Sequence, residues 1–252
     1  MKKAICLLTI NPSIIWIDFL SNIQNYDIYI VIDNLESDID IYKNIYPTIH
    51  FVKISNSYCI NSGFIHSSYM PTSSLKFNEI IAWDRALYYF TNVNSNYDHV
   101  WFFEDDCFFY NENTLFNIDI KYPHSDLLCK DKNPEPKENE WKWFWPAINI
   151  HFPSPYFHSP ICAVRMSKNM LNHLQQYITQ HRRLCFIEAL FPSIAYRNNL
   201  IYTLCEEMSE IYWRHDWDLN EFNEYDIFHP IKNVEEHFKI RCILDKKLKN
   251  DK

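Results

Sequence analysis

Residues 99–110 read HVWFFEDDCFFY, and the fold turns on what this stretch is. Val100, Trp101, Phe102 and Phe103 are apolar on both faces of an extended chain, the pattern of a strand buried in the middle of a sheet. Three consecutive carboxylates, Glu104, Asp105 and Asp106, follow them. Two carboxylates about 4 Å apart repel by about 4 kcal/mol at an effective dielectric near 20, a large part of the ~5–15 kcal/mol that keeps a domain folded. The densest negative charge on the greasiest strand therefore calls for a cation beside it, unless the acids are a solvated strand end or a hairpin turn.

Side chains alternate along a strand, so Glu104 and Asp106 are predicted to share one face, with Asp105 on the other. At the carboxyl end of a strand the pair would look into the crevice where open α/β sheets bind ligands. Oxygen donors suit Mg²⁺ or Mn²⁺, either of which also carries the phosphates of a nucleotide.

The flanking sequence supplies the rest of a sheet. Apolar runs over 4–10, 29–32 and 50–54 predict strands, with a helix over 14–23 and a charged, helical stretch before the third strand. Ser73 or Ser74 can cap a helix reaching Phe90, since Ile80, Trp83, Leu87 and Phe90 fall on one face. Downstream, residues 130–140 (KDKNPEPKENE) predict an exposed loop. Residues 160–165 are expected to return to the sheet. Helices are predicted over 167–181, capped by Ser167, over 186–198, and in the lysine-rich tail from Lys232. The alternation is that of an α/β fold.

Composition narrows the function. The chain has 252 residues, 47% hydrophobic and 22% charged, which fits one domain. Its net charge of −8 argues against a nucleic-acid backbone binder. A single glycine, Gly63, excludes the glycine-rich Walker loop and the G-x-G-x-x-G dinucleotide fingerprint. Eight scattered cysteines with no C-x-x-C pair point to a reducing, cytoplasmic setting. The opening MKKAICLLTI begins like a signal peptide, but Asn11-Pro12 interrupts it, and a first core strand is expected instead. No run approaches the ~18 apolar residues needed to span a bilayer. The abundance of Ile, Asn, Lys and Tyr is that of an AT-rich coding genome, as in a giant virus or a unicellular parasite.

A helix carrying Trp83-Asp84-Arg85, a polar linker and then YDHVWFFEDDCFF resembles the GT-A superfamily of nucleotide-sugar-dependent glycosyltransferases, whose apolar strand ends in a D-x-D-type metal motif. The resemblance spans roughly residues 4–232 and is specific only around the acids. It implies a GT-A-type Rossmann-like mixed sheet flanked by helices, in a single domain 1–252. Residues 1–110 would form the nucleotide-sugar-binding half, and 111–252 the acceptor-binding half and tail. It also implies that Asp106 ligates Mn²⁺ or Mg²⁺, with Glu104 assisting or meeting the donor ribose and Asp105 sharing either role. Here the first acid of the motif is Glu, a departure from the usual Asp.

By the same likeness Asp33, ending YIVID, would contact the nucleoside, and Asp84 and Arg85 the donor, although an exposed ion pair would equally suit those two. Glu188 in CFIEALFPS matches the acid beneath the acceptor, the base an inverting transfer needs; a helix-start glutamate is the plainer alternative. His229 and Lys232 in DIFHPIK match a histidine that closes the metal site and a lysine on the diphosphate. His215 and Asp216 compete for that place, and Arg214 could meet phosphate. Trp141, Trp143 and Trp145 suit either core packing or sugar faces.

The activity implied is transfer of a sugar from a nucleotide diphosphate sugar, a UDP-sugar foremost, to a glycan hydroxyl, inverting or retaining. A nucleotidyltransferase and a non-catalytic carbohydrate-binding protein are the alternatives.

Overall fold

The computed structural model describes residues 1–68, 80–134 and 150–250. The chain begins with β1 (Lys3–Thr9), crosses through α1 (Ile14–Ser21) to β2 (Asp27–Ile32), and reaches β3 (Ile49–Val52) by way of α2 (Asp40–Ile45). Ser13 starts α1 by accepting a hydrogen bond from the Ile15 N–H. After α3 (Asn56–Ser62) come α4 (Ala82–Tyr88), a π-helical turn (Tyr89–Val93) and β4 (His99–Glu104). The Ser73 or Ser74 cap lies outside the described residues, as do Trp141, Trp143 and Trp145.

The second part comprises α5 (Glu112–Lys121), β5 (Leu127–Cys129), a small ribbon of β6 (Asn133–Pro134) with β7 (Phe157–His158), and β8 (Ala163–Ser167). Then follow α6 (Lys168–His181), α7 (Ile187–Arg197), β9 (Tyr202–Leu204) and α8 (Val234–Asn250). Ser167 caps α6, its hydroxyl accepting from the Met170 N–H at 3.1 Å, as its sequence position predicts.

Seven strands form one sheet in the order β3-β2-β1-β4-β8-β5-β9. Only β8 runs against its neighbours β4 and β5, so the sheet is mixed and mainly parallel. The expected α/β class is thus the one observed. The chain winds outward from β1 through β2 to β3, then returns to place β4 on the other side of β1. Strand order reverses at that point, and in open α/β sheets it is beyond the carboxyl ends of such strands, here β1 and β4, that ligands bind. Leu8 pairs with Glu104 there.

Both faces of β4 are buried. Val100 and Phe102 enter a core with Trp83, Phe90 and α6 and α7 residues, while Trp101 and Phe103 enter a second with Trp16, Phe109 and Leu115. A third, smaller core joins Phe108, Phe222, Phe228, Ile231, Ile240 and Leu244. The one glycine ends α3 in the left-handed region, φ 82°, where a Cβ would come within 2.8 Å of the Arg182 backbone. Glycine is required there twice over, by conformation and by space.

Candidate active site

The strand stops where the acids begin. Glu104 is the last residue of β4, and the Cys107 N–H donates to the Glu104 carbonyl at 3.0 Å, closing a tight turn over Asp105 and Asp106. Pleat alternation therefore does not govern Asp105 and Asp106, and the turn sets their directions instead. Asp105 faces β1, accepting from the Thr9 hydroxyl at 2.5 Å, while its carbonyl accepts from the Trp16 indole N–H at 2.8 Å. Glu104 accepts from the Trp83 indole N–H at 2.8 Å.

Asp106 meets two cations from far along the chain. Its Oδ1 lies 3.2 Å from His229 Nε2 and its Oδ2 3.1 Å from Lys232 Nζ. Backbone pairing makes this possible: Phe108 and Phe228 exchange both hydrogen bonds, and the Ile231 N–H donates to the Asp106 carbonyl at 2.7 Å. The segment from 228 to 232 is thereby laid along the turn. His229 is buried, with Nδ1 2.6 Å from the Tyr212 carbonyl. That carbonyl can only accept, so Nδ1 carries a proton and Nε2 faces Asp106.

The electrostatics follow from burial and pairing. Burial would raise the Asp106 carboxyl, but the His229 bond and the Lys232 charge outweigh it and bring its pKa down to about 2. For His229 burial favours the neutral ring, and the Asp106 bond overrides this to hold the pKa above its ordinary value. Glu104 is pushed up by burial and by Asp106, against the Trp83 bond. Asp105 is raised by burial, against the Thr9 bond, with Asp106 adding to the rise. The charge repulsion legible in the sequence is thus offset at Asp106 by His229 and Lys232, and persists at Glu104 and Asp105.

Glu188 opens the first turn of α7 and is pushed up to about 8, by burial first and by the Glu104 charge second, against an Ile161 backbone N–H bond. Asp33 sits just past β2, ion-paired to Arg85 Nη1. Arg85 is buried and donates further to the Ile54 carbonyl at 3.0 Å and to Asn56 Oδ1 at 2.7 Å. These two residues form one unit at the carboxyl ends of the outer strands. Burial raises the Asp33 carboxyl, against the Arg85 charge.

Asp84, expected to meet the donor, is fully buried. Its oxygens accept from the Ser67 N–H at 3.0 Å, the Ser67 hydroxyl at 2.7 Å and the Ile81 N–H at 2.9 Å. Ser67 in turn accepts through its carbonyl from the Ile187 N–H at 2.9 Å, next to Glu188. Asp84 therefore positions the start of α7. We predict that Asp84→Ala, by orphaning buried donors, lowers unfolding free energy by about 1–3 kcal/mol in denaturant melts.

His215, the competing histidine, lies 3.4 Å from Glu221 and packs against Trp217 at 4.2 Å between ring centroids. Arg214 and Asp216 are exposed beside it. A residue not singled out by sequence reasoning joins the acids: Cys162, just before β8. Its Sγ, a Glu104 carboxylate oxygen and a His229 ring nitrogen lie within 4.8 Å of one another. Sequence spacing carries no sign of this, because three separate segments supply the atoms.

A carboxylate, an imidazole whose other nitrogen is tied to a carbonyl, and a flanking Asp form a donor set that suits a divalent cation. Among the described residues no helix is long and apolar enough to cross a membrane.

No family model matches the chain, and no curated protein sequence does. Among solved structures, mouse xyloside xylosyltransferase 1 is similar with a TM-score of 0.49 and 10% identity, over 92% of this chain and 99% of that one. The bifunctional glycosyltransferase WbbM has a TM-score of 0.48 and 11% identity, over 97% of this chain and 51% of that one. The 4-diphosphocytidyl-2C-methyl-D-erythritol synthase of Anaerococcus prevotii has a TM-score of 0.46 and 10% identity, over 97% and 96%. These are likenesses in the course of the backbone, and they concern the α/β fold alone.

Proposed function

We propose that the chain is a metal-dependent glycosyltransferase of GT-A type, moving a sugar from a nucleotide diphosphate sugar, a UDP-sugar foremost, to a glycan hydroxyl. The observation that carries this reading is the meeting of Asp106 with His229 and Lys232, beside Glu104, at the open end of the switch-point strand. A divalent cation held by Glu104, Asp106 and His229 would neutralise charge developing on the leaving diphosphate.

The protein's own groups do the rest. Lys232, whose side chain is 78% exposed, is free to turn from Asp106 to a phosphate oxygen. Asp33, held in place by Arg85, offers a carboxylate to nucleoside hydroxyl or N–H donors at the end of β2. Asp105, braced by Thr9, keeps the turn against β1. Glu188 takes the acceptor proton, as a buried carboxylate whose raised pKa makes it a stronger base than an exposed one.

Thermal melts with a panel of nucleotides and nucleotide sugars, with and without Mn²⁺ or Mg²⁺, test this reading. A ligand at 100 times its Kd adds about 2.7 kcal/mol, which for a chain of this size raises Tm by about 5–10 °C. That shift is expected with UDP or a UDP-sugar plus cation, and is expected to vanish in Asp106→Ala. No shift with any nucleotide would sink the proposal, while stabilisation by nucleoside triphosphates alone would favour nucleotidyl transfer.

A further inference from the structure

The thiol beside the acids is aimed, not incidental. Cys162 is 8% exposed, and its carbonyl accepts from the Glu104 N–H at 2.9 Å, which fixes its backbone beside the last residue of β4. The neighbouring thiol, Cys107, donates to the Cys162 carbonyl at 3.1 Å and so points elsewhere. Among the described residues only Cys162 joins Glu104 and His229 in the group whose donor atoms lie within 4.8 Å of one another. Around a tetrahedral ion with bonds of about 2.0–2.3 Å, donors stand roughly 3.5 Å apart, so closing on an ion needs shifts of about an ångström. The Tyr212 carbonyl already holds His229 Nδ1, at 2.6 Å, in the arrangement that leaves Nε2 as the ligand atom.

We propose that Cys162 ligates the cation as a thiolate alongside Glu104, Asp106 and His229, so that the centre takes a thiophilic divalent ion of the Zn²⁺ or Co²⁺ kind in preference to Mg²⁺. Sulfur selects such ions, whereas Mg²⁺ demands oxygen in near-octahedral geometry. The Cys162 S–H and His229 Nε2–H bonds break as the S–metal and N–metal bonds form, both protons leave to solvent, and no oxidation state changes. This inference rests on the proposed metal role of Glu104 and His229, and on nothing about the nucleotide.

The test is Co²⁺ titration of the nucleotide-free chain, followed by absorption spectroscopy with equilibrium dialysis as the measure of binding. A thiolate-to-cobalt charge-transfer band in the near ultraviolet is expected for the wild type and for Cys107→Ser. It should be lost in both Cys162→Ser and Cys162→Ala, with Co²⁺ affinity weakened at least about 10-fold. Zn²⁺ should displace the bound Co²⁺ at equivalence, and Mg²⁺ in large excess should not. Bound Co²⁺ without the band, a band that survives loss of Cys162, displacement by Mg²⁺, or no Co²⁺ binding would each overturn the inference. The two ideas fail separately: a band without nucleotide stabilisation removes the transferase reading alone, and Mg²⁺-dependent stabilisation without a band removes the thiolate alone.

Discussion

Glu188→Gln is expected to lower kcat by about 10²–10⁴-fold while leaving nucleotide-induced stabilisation intact. The amide keeps the size of the side chain and an acceptor for the Ile161 N–H, but it cannot take a proton. Burial and the Glu104 charge place the Glu188 pKa at about 8. A base acts in its ionised form, so kcat/KM of the wild type should rise with pH and level off above about 8, and the variant should show no such limb. A falling limb in that range would instead make Glu188 a general acid. A variant with unchanged kcat would remove it from the chemistry altogether.

Asp119→Ala is expected to cost about 3–5 kcal/mol, the usual penalty for stranding one half of a buried ion pair, and to lower Tm by about 6–20 °C. Asp119 receives Arg165 at 2.6 Å, Lys3 at 2.8 Å, the Tyr26 hydroxyl at 2.8 Å and the Trp101 indole at 3.1 Å. Arg165 and Asp119 side chains are each 1% exposed. Burial raises this carboxyl, but Arg165 and Lys3 outweigh it, so its pKa lies below the ordinary range. Its contribution is therefore present above the unfolded pKa and is lost as pH falls through the folded one. Denaturant melts of the single variant against Arg165→Met/Asp119→Leu check the cause. The double variant should recover the part of the loss due to the stranded Arg165 charge, since apolar pairs of similar volume often replace buried ion pairs without penalty, while the Tyr26 and Trp101 donors stay without their acceptor. Equal destabilisation in both would mean that packing, not unpaired charge, is responsible.

The central strand was legible because the run from Val100 to Phe103 has no polar face, and the first strands and α6 were legible through their apolar spacing and the Ser167 cap. α5 and β5 give weaker signals: the apolar residues of α5 at 116, 118 and 120 alternate like those of a strand, and β5 is three residues long. Most of the candidate site was nameable from residue type and resemblance, yet its geometry was not. Alternation placed Glu104 and Asp106 on one face, whereas the turn closed by Cys107 directs them. Asp84 reads as a surface acid on a helix, but its capping bond to Ile81 and its bonds to Ser67 turn it inward. Cys162 was invisible because nothing within its own segment marks it. It is brought to Glu104 by the antiparallel pairing of β8 with β4, a long-range event.

The small core around Phe108 and Phe228 sets how the site could let go. His229 and Lys232 are kept against Asp106 by that cluster, apart from the two large cores that line the sheet. Regions with less buried contact open at lower free energy than the rest of a fold. Loosening of that small cluster would let the segment from Phe228 to Lys232 move while every strand stays paired, carrying an imidazole and an ammonium from the acids they neutralise. Amide exchange in residues 228–232 should then run ahead of exchange in β1 and β4.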